Sequence, residues 1–210
     1  MYDGYRTIKK KYLPNATHIV DSFHYIGYVY GAVNEIRINT MESFKANTKE
    51  YRILKKYWSL LNKPFKSVNN YEMYNPLIGA KSTTECIINS CLDLNNDLKK
   101  TYMLKEDFYR GFENIHYEKA AAFIDEFINK LNEADLSVLT KLANMFNNWK
   151  QEIVNSFIRF GDKRLNNGYL EGINNRIKVI KKISYGCKNF NYFRNRIMYA
   201  INENEPISNI

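Results

Sequence analysis

Little in this chain is suited to metal–thiolate chemistry or to a membrane. Three cysteines in 210 residues, Cys86, Cys91 and Cys187, are odd in number and show no paired metal spacing, so they read as free thiols. The three histidines are scattered, which argues against a zinc site. No apolar run approaches the length of a membrane span, and no signal-peptide pattern opens the chain. A cytosolic location and no membrane partner are therefore expected. There is no internal repeat. Strand-like sequence is scarce too: residues 16–21 form the one persuasive stretch, and a lone strand cannot satisfy its own backbone.

What is plentiful is aromatic and basic. Hydrophobic residues make up 45% and aromatic residues 15%, with 17 Tyr and 12 Phe, a composition that folds. The length suits one domain with a real core, or one domain carrying an insertion. The net charge of +9 is concentrated near the C-terminus. Between Arg159 and Arg196 stand ten Lys/Arg (159, 163, 164, 176, 178, 181, 182, 188, 194, 196) against two acids, Asp162 and Glu171. A basic segment interleaved with Tyr and Phe is an electrostatic footprint for nucleic acid. A solvated basic surface has the same composition, and composition alone leaves both readings open.

Periodicity predicts a mostly helical chain. Helices are expected over 2–12, capped by Asp3, and from Phe23 toward Phe44. Further helices are expected over 49–61, 83–101, 117–132, 137–149, 150–160 and 191–202. A short helix starting at Glu106 is expected to be interrupted at Gly111. A polar break separates Asn62 from Pro76. The tail, 203–210, reads as frayed.

The most informative stretch is 167–182. At helical period Leu170, Ile173, Ile177 and Ile180 share one side. Glu171, Asn174, Asn175, Lys178 and Lys182 share the other, so one carboxylate lies below two amides and two cations. Such a helix can offer an acid to a metal and its next turns to a phosphate backbone.

The pattern Asn-Gly-x-x-Glu-Gly-x-Asn-Asn-x-Ile-Lys, then Tyr185-Gly186-Cys187-Lys188-Asn189-Phe190 and Phe193-Arg194-x-Arg196-Ile197, resembles the end of the DDE catalytic domain in bacterial insertion-sequence transposases of the ISL3 group. The resemblance implies that Glu171 is the third carboxylate of the Asp-Asp-Glu triad. Val20-Asp21-Ser22-Phe23-His24 resembles the motif carrying the second, Asp21. Read without the family, Asp21 is a helix N-cap, the commoner role for such an Asp. An acid ending a buried strand also points into the crevice where α/β sheets place their sites. His24 is expected to pack or hydrogen-bond nearby rather than to act as a base. Aromatic residues such as Tyr57, Trp58 and Trp149 are expected mainly in helix packing, with base stacking as the other use.

The resemblance further implies an α/β fold, mostly α, with a partial RNase H-like core and a large all-helical insertion. The expected division is 1–46 for the partial core with Asp21, 47–160 for the helical insertion, 161–202 for the Glu171 helix and basic segment, and 203–210 for the tail. Aligned on Pro14-Asn15-Ala16, the family's first catalytic Asp would fall just before Met1. The chain is thus expected to lack that Asp and the first core strands, and to be inactive alone. The intact family enzyme cuts and joins DNA by phosphoryl transfer using two Mg²⁺ (or Mn²⁺) ions held by three carboxylates. Expected metal ligands here are Asp21 and Glu171. Expected DNA contacts are Arg176, Lys178, Lys181, Lys182, Lys188, Arg194 and Arg196. Implied partners are transposon-end and target DNA, with a homo-oligomer or a full-length transposase as a protein partner. The implied setting is the bacterial cytoplasm, associated with the nucleoid. The alternative is a catalytically dead DNA-binding remnant that interferes with a full-length transposase.

Overall fold

The computed structural model describes residues 3–161 and 163–201. The expected tail at 203–210 lies outside the described residues, as does Asp162. The chain divides into two compact units, residues 1–165 and 166–210, and is mostly helical.

The first unit is organised by α2 (Ser22–Glu42), which starts as the sequence predicts. Its apolar residues extend over nearly its whole length, so it serves two cores. Tyr25, Val29 and Ala32 pack with Phe108, Ile124, Phe127, Phe146 and Ile153. Val33 and Ile36 pack with Ile53, Leu54, Leu61, Ile88 and Leu98. The first core is closed by α7 (Tyr117–Glu133), α8 (Ser137–Asn148) and α9 (Lys150–Asn155). The second is closed by α3 (Lys49–Lys56), α4 (Trp58–Leu61) and α5 (Thr84–Leu92). A second long helix, α6 (Asn96–Asn114), also feeds both, through Leu98 and Tyr102 at one end and Phe108 at the other.

Several expected boundaries move for local reasons. The helix expected over 83–101 is two, because the Asn95 side chain accepts the Leu98 N–H at 3.0 Å and starts α6 afresh. The expected helix at 49–61 breaks at Tyr57 into α3 and α4. Gly111 does not interrupt α6. It lets α7 approach instead: a Cβ there would meet Phe123 Cε2 at 2.3 Å. The break before Pro76 leads into a small hairpin, β1 (Met73–Asn75) and β2 (Ala80–Ser82), antiparallel with Met73 opposite Ser82. Its turn uses Gly79 at φ +80° and Asn75 Oδ1, which accepts the Leu77 N–H at 3.0 Å. A second ribbon pairs β3 (Arg159–Phe160) with β4 (Lys163–Arg164).

Residues 16–21 do not form the strand their β-branched content predicts. No strand lies beside them among the described residues, so their backbone is satisfied by α9. Val20 donates to the Glu152 carbonyl at 3.2 Å, and Asn155 Nδ2 donates to the His18 carbonyl at 2.9 Å. Both sheets among the described residues are two-stranded.

A buried lysine closes the second core. Lys105, 1% exposed, donates to the carbonyls of Leu61 at 2.9 Å and Lys63 at 2.8 Å, and pairs with Glu106 at 2.6 Å. Both Glu106 carboxylate oxygens in turn accept the Phe65 N–H. Burial pulls the Lys105 ammonium below its ordinary pKa, against the pull of Glu106.

The second unit is a helical hairpin of α10 (Gly168–Ile183) and α11 (Phe190–Ile201). Two left-handed residues, Tyr185 at φ +45° and Gly186 at φ +83°, reverse the chain after α10. Asn189 then caps α11, its side chain accepting the N–H groups of Asn191 at 3.0 Å and Tyr192 at 3.3 Å.

Candidate catalytic carboxylates and nucleic-acid interface

Asp21 stands at the N-cap of α2, half-buried, with Oδ1 accepting the Phe23 N–H at 2.9 Å. The cap role read from sequence is therefore realised. It leaves the carboxylate oriented by the helix end, as a ligand requires too. The segment delivering Asp21 is held in place from both sides. Val20 is 6% exposed, and beyond the cap the Tyr25 hydroxyl meets Ser156 Oγ at 2.8 Å. Burial pushes the Tyr25 phenol up to about 12. His24 is exposed, its ring edge-on to Phe23 at 6.1 Å.

Behind Asp21 is a charged anchor that no sequence motif announces. Arg6, on α1 (Gly4–Tyr12), donates from Nε to Glu152 Oε1 at 2.6 Å and from Nη2 to Oε2 at 2.9 Å. The guanidinium also lies 3.9 Å above the Trp149 ring and reaches the Asn148 carbonyl at 2.5 Å. His18 Nδ1 is 3.7 Å from the same carboxylate. Burial would raise the Glu152 pKa, but the Arg6 hydrogen bonds and charge outweigh it and hold it below the carboxylate range. Because Arg6 and Glu152 are 146 positions apart, only the folded chain reveals the pair. Asp3 precedes α1, but its side chain makes no cap bond and pairs with Arg6 at 3.4 Å.

Glu171 occupies the first turn of α10 and is exposed. A carboxylate there is stabilised by the helix dipole, and Lys181 and Lys182 in the last turn suit the opposite end. The predicted faces are real: Ile180 is buried and Ile173 and Ile177 half-buried, while Glu171, Asn174, Asn175, Lys178 and Lys182 are exposed. Leu170 departs from the pattern at 56% exposed. Arg176 and Lys181 are exposed on the flanks of the polar stripe, and Lys188, Arg194 and Arg196 are exposed on the turn and on α11. Asp21 belongs to the first unit, and Glu171 with all seven candidate DNA-contacting cations belongs to the second.

Not every cation in the basic segment is available to a partner. Arg164 is half-buried, donates to the carbonyls of Phe112 and Ile115, and lies 4.0 Å over the Phe112 ring and 4.5 Å over Phe157. It secures the β3–β4 ribbon to the C-terminal end of α6.

Asp21 and Glu171 offer the hard oxygen donors that Mg²⁺ and Mn²⁺ prefer. Among the described residues no group of three or more His, Cys, Asp or Glu is placed to hold a metal ion. Also among the described residues, no helix is long and apolar enough to cross a membrane.

No curated protein and no solved structure matches this chain. The family model for ISL3-type DDE transposases, described as Transposase, matches residues 1–197. With that match over nearly the whole chain, and the Glu171 motif folded as one exposed polar helix face, the protein belongs to the ISL3 family of DDE transposases.

Proposed function

We propose that this chain acts in DNA transposition as a catalytic-domain segment that supplies two carboxylates and a phosphate-binding surface. Asp21 and Glu171 are the metal ligands of this reading. Arg176, Lys178, Lys181, Lys182, Lys188, Arg194 and Arg196 hold DNA beside Glu171. In the RNase H-like plan that the family implies, the segment before α2 takes the place of the strand bearing the second acid. Residues 1–46 are then the partial core, 47–160 the helical insertion, and 161–202 the Glu171 helix and basic segment. The observation that carries the reading is the exposed α10 face, where Glu171 shares one stripe with Asn174, Asn175, Lys178 and Lys182.

Divalent metal, when bound, would activate the attacking oxygen and stabilise the leaving one. The chain's own residues do the rest. Asp21, fixed at the N-cap, and Glu171, on the first turn of a regular helix, present oxygens from rigid elements. The cations neutralise phosphate and set the strand's path. The family's metal pair takes three acids, of which this reading assigns two, Asp21 and Glu171; a chain holding only these binds DNA without cutting it. A second reading is a DNA-binding remnant that competes with or joins a full-length transposase.

The test is a binding and nicking assay on the purified chain with supercoiled and linear DNA, with Mg²⁺ or Mn²⁺. The expected outcome is salt-sensitive binding and no nicking. Replacing Lys178, Lys181 and Lys182 with Gln should reduce the salt-dependence slope by about two to three, since each phosphate contact contributes about 0.9. Metal-dependent nicking abolished by Glu171→Gln would show that the chain is a complete nuclease and overturn the second reading. Unchanged binding in the triple variant would remove the α10 face from the interface.

A further inference from the structure

Resting on the DNA-binding reading, we propose that the outer face of α11 receives an unpaired DNA strand, with bases stacking on Tyr192 and Tyr199 around Arg196. Helical period puts Phe193, Ile197, Ala200 and Ile201 on the inner side of α11, and all four are half-buried. Opposite them, Tyr192 is 73% and Tyr199 72% exposed. The two rings are seven residues apart, two turns or about 10.5 Å along the axis. Arg196 lies between them, four residues after one and three before the other, so the three side chains form one stripe. The apolar side of this helix is already used in packing, and these rings are additional to it.

Charge selects the occupant. From Gly172 to Ile201 there is no Asp or Glu, while Arg176, Lys178, Lys181, Lys182, Lys188, Arg194 and Arg196 all occur there. A surface with no acid and many exposed cations fits a polyanion. Flat, solvated phenol rings between those cations add what a phosphate backbone alone does not need: a π-face for a base. In a duplex the base faces are covered by their neighbours, so rings of this kind contact an unpaired strand. DNA cutting and joining exposes such strands at ends and flaps, and α11 follows directly on the Glu171 helix in the chain.

The experiment uses the full chain and fluorescence anisotropy with three probes of equal length. These are oligo-dT, an abasic single strand and a duplex. The proposal expects oligo-dT to bind at least about tenfold tighter than the abasic strand. The double variant Y192A/Y199A should erase that difference and leave abasic and duplex binding unchanged. The Y192F/Y199F variant should keep it, and circular dichroism should show both variants folded. Equal affinity for oligo-dT and the abasic strand overturns the proposal and leaves the duplex-binding reading standing. So does an equal loss on all three probes in Y192A/Y199A. Failure to bind any probe at low salt overturns both. If sedimentation shows a dimer that the double variant dissolves, with no base preference, the stripe is an interface between copies and the proposal fails.

Discussion

Replacing Glu152 with Gln tests whether the Arg6 anchor positions the segment that carries Asp21. The substitution keeps the shape and one acceptor but removes the charge. Helix α1 is nine residues long and buries none of them, so it cannot persist on its own propensity and depends on docking. Two hydrogen bonds from Arg6, at 2.6 and 2.9 Å, join it to α9, with the Trp149 ring beneath. Hydrogen bonds to charged groups contribute about 1.5–3 kcal/mol. The Arg6 side chain is 32% exposed, so solvent screening brings the expected loss down to about 1–2 kcal/mol. That corresponds to a roughly 5- to 30-fold rise in local opening. Native-state hydrogen exchange reads it directly: amides of α1 and of residues 18–21 should exchange faster by that factor. Trypsin should also cut sooner at Lys9, Lys10 and Lys11. The same loosening should appear in the unmodified protein at acid pH. Glu152 has a folded pKa held below its unfolded value, so its contribution is complete above the unfolded value and is lost as pH falls through the folded one. Unchanged exchange over 4–12 and 18–21 in Glu152→Gln would refute the reasoning.

Lys105→Met should lower unfolding stability by about 3–5 kcal/mol in urea titration. It leaves the Leu61 and Lys63 carbonyls without their donor and Glu106 without its partner; a loss below about 1 kcal/mol would show the lysine to be replaceable. Gly111→Ala should cost about 1–3 kcal/mol, because its Cβ would meet Phe123 at 2.3 Å within a packed aromatic cluster. A Phe123→Ala background should relieve that clash. Tyr25 should resist ionisation to about 12. Its raised folded pKa makes its stabilisation complete below pH 10 and lost as pH rises above it, by up to about 2.7 kcal/mol for a two-unit shift. Tyr25→Phe should therefore leave the early phenolate absorbance unchanged and remove one tyrosine from the late phase, and the midpoint of urea unfolding should fall between pH 10 and 12.

Helix faces were legible because period is local. The burial of Ile173, Ile177 and Ile180 and the start of α2 at Ser22 needed no knowledge of partners. Strand pairing is not local. Residues 16–21 have strand-like side chains, but what decides a strand is a neighbouring backbone, and here the neighbour is a helix. Gly111 looked like a breaker because propensity sees only the cost of glycine, whereas α7 presses a phenyl ring into the space it leaves. The break at Asn95 is marked by its capping side chain, within an apolar pattern that runs on across it. Of the candidate site, the Glu171 stripe and its cations were visible in the motif. The Arg6–Glu152 anchor was not, since nothing near either residue marks the other. Arg164 counted toward a basic segment by charge alone, yet its surroundings make it a structural cation.

The stitching of residues 18–20 to α9 also sets an order of events in folding. The bonds that hold the backbone just before Asp21 span more than 130 residues, so their loop must close before they can form. As the chain is synthesised, α1, the segment after it and α2 emerge before α9, yet the carboxylate's place waits until residue 155 has left the ribosome. The helices between them form by local contacts meanwhile. Asp21 is thus translated long before the helix that positions it, and a chain stalled before α9 would carry this acid without a place to put it.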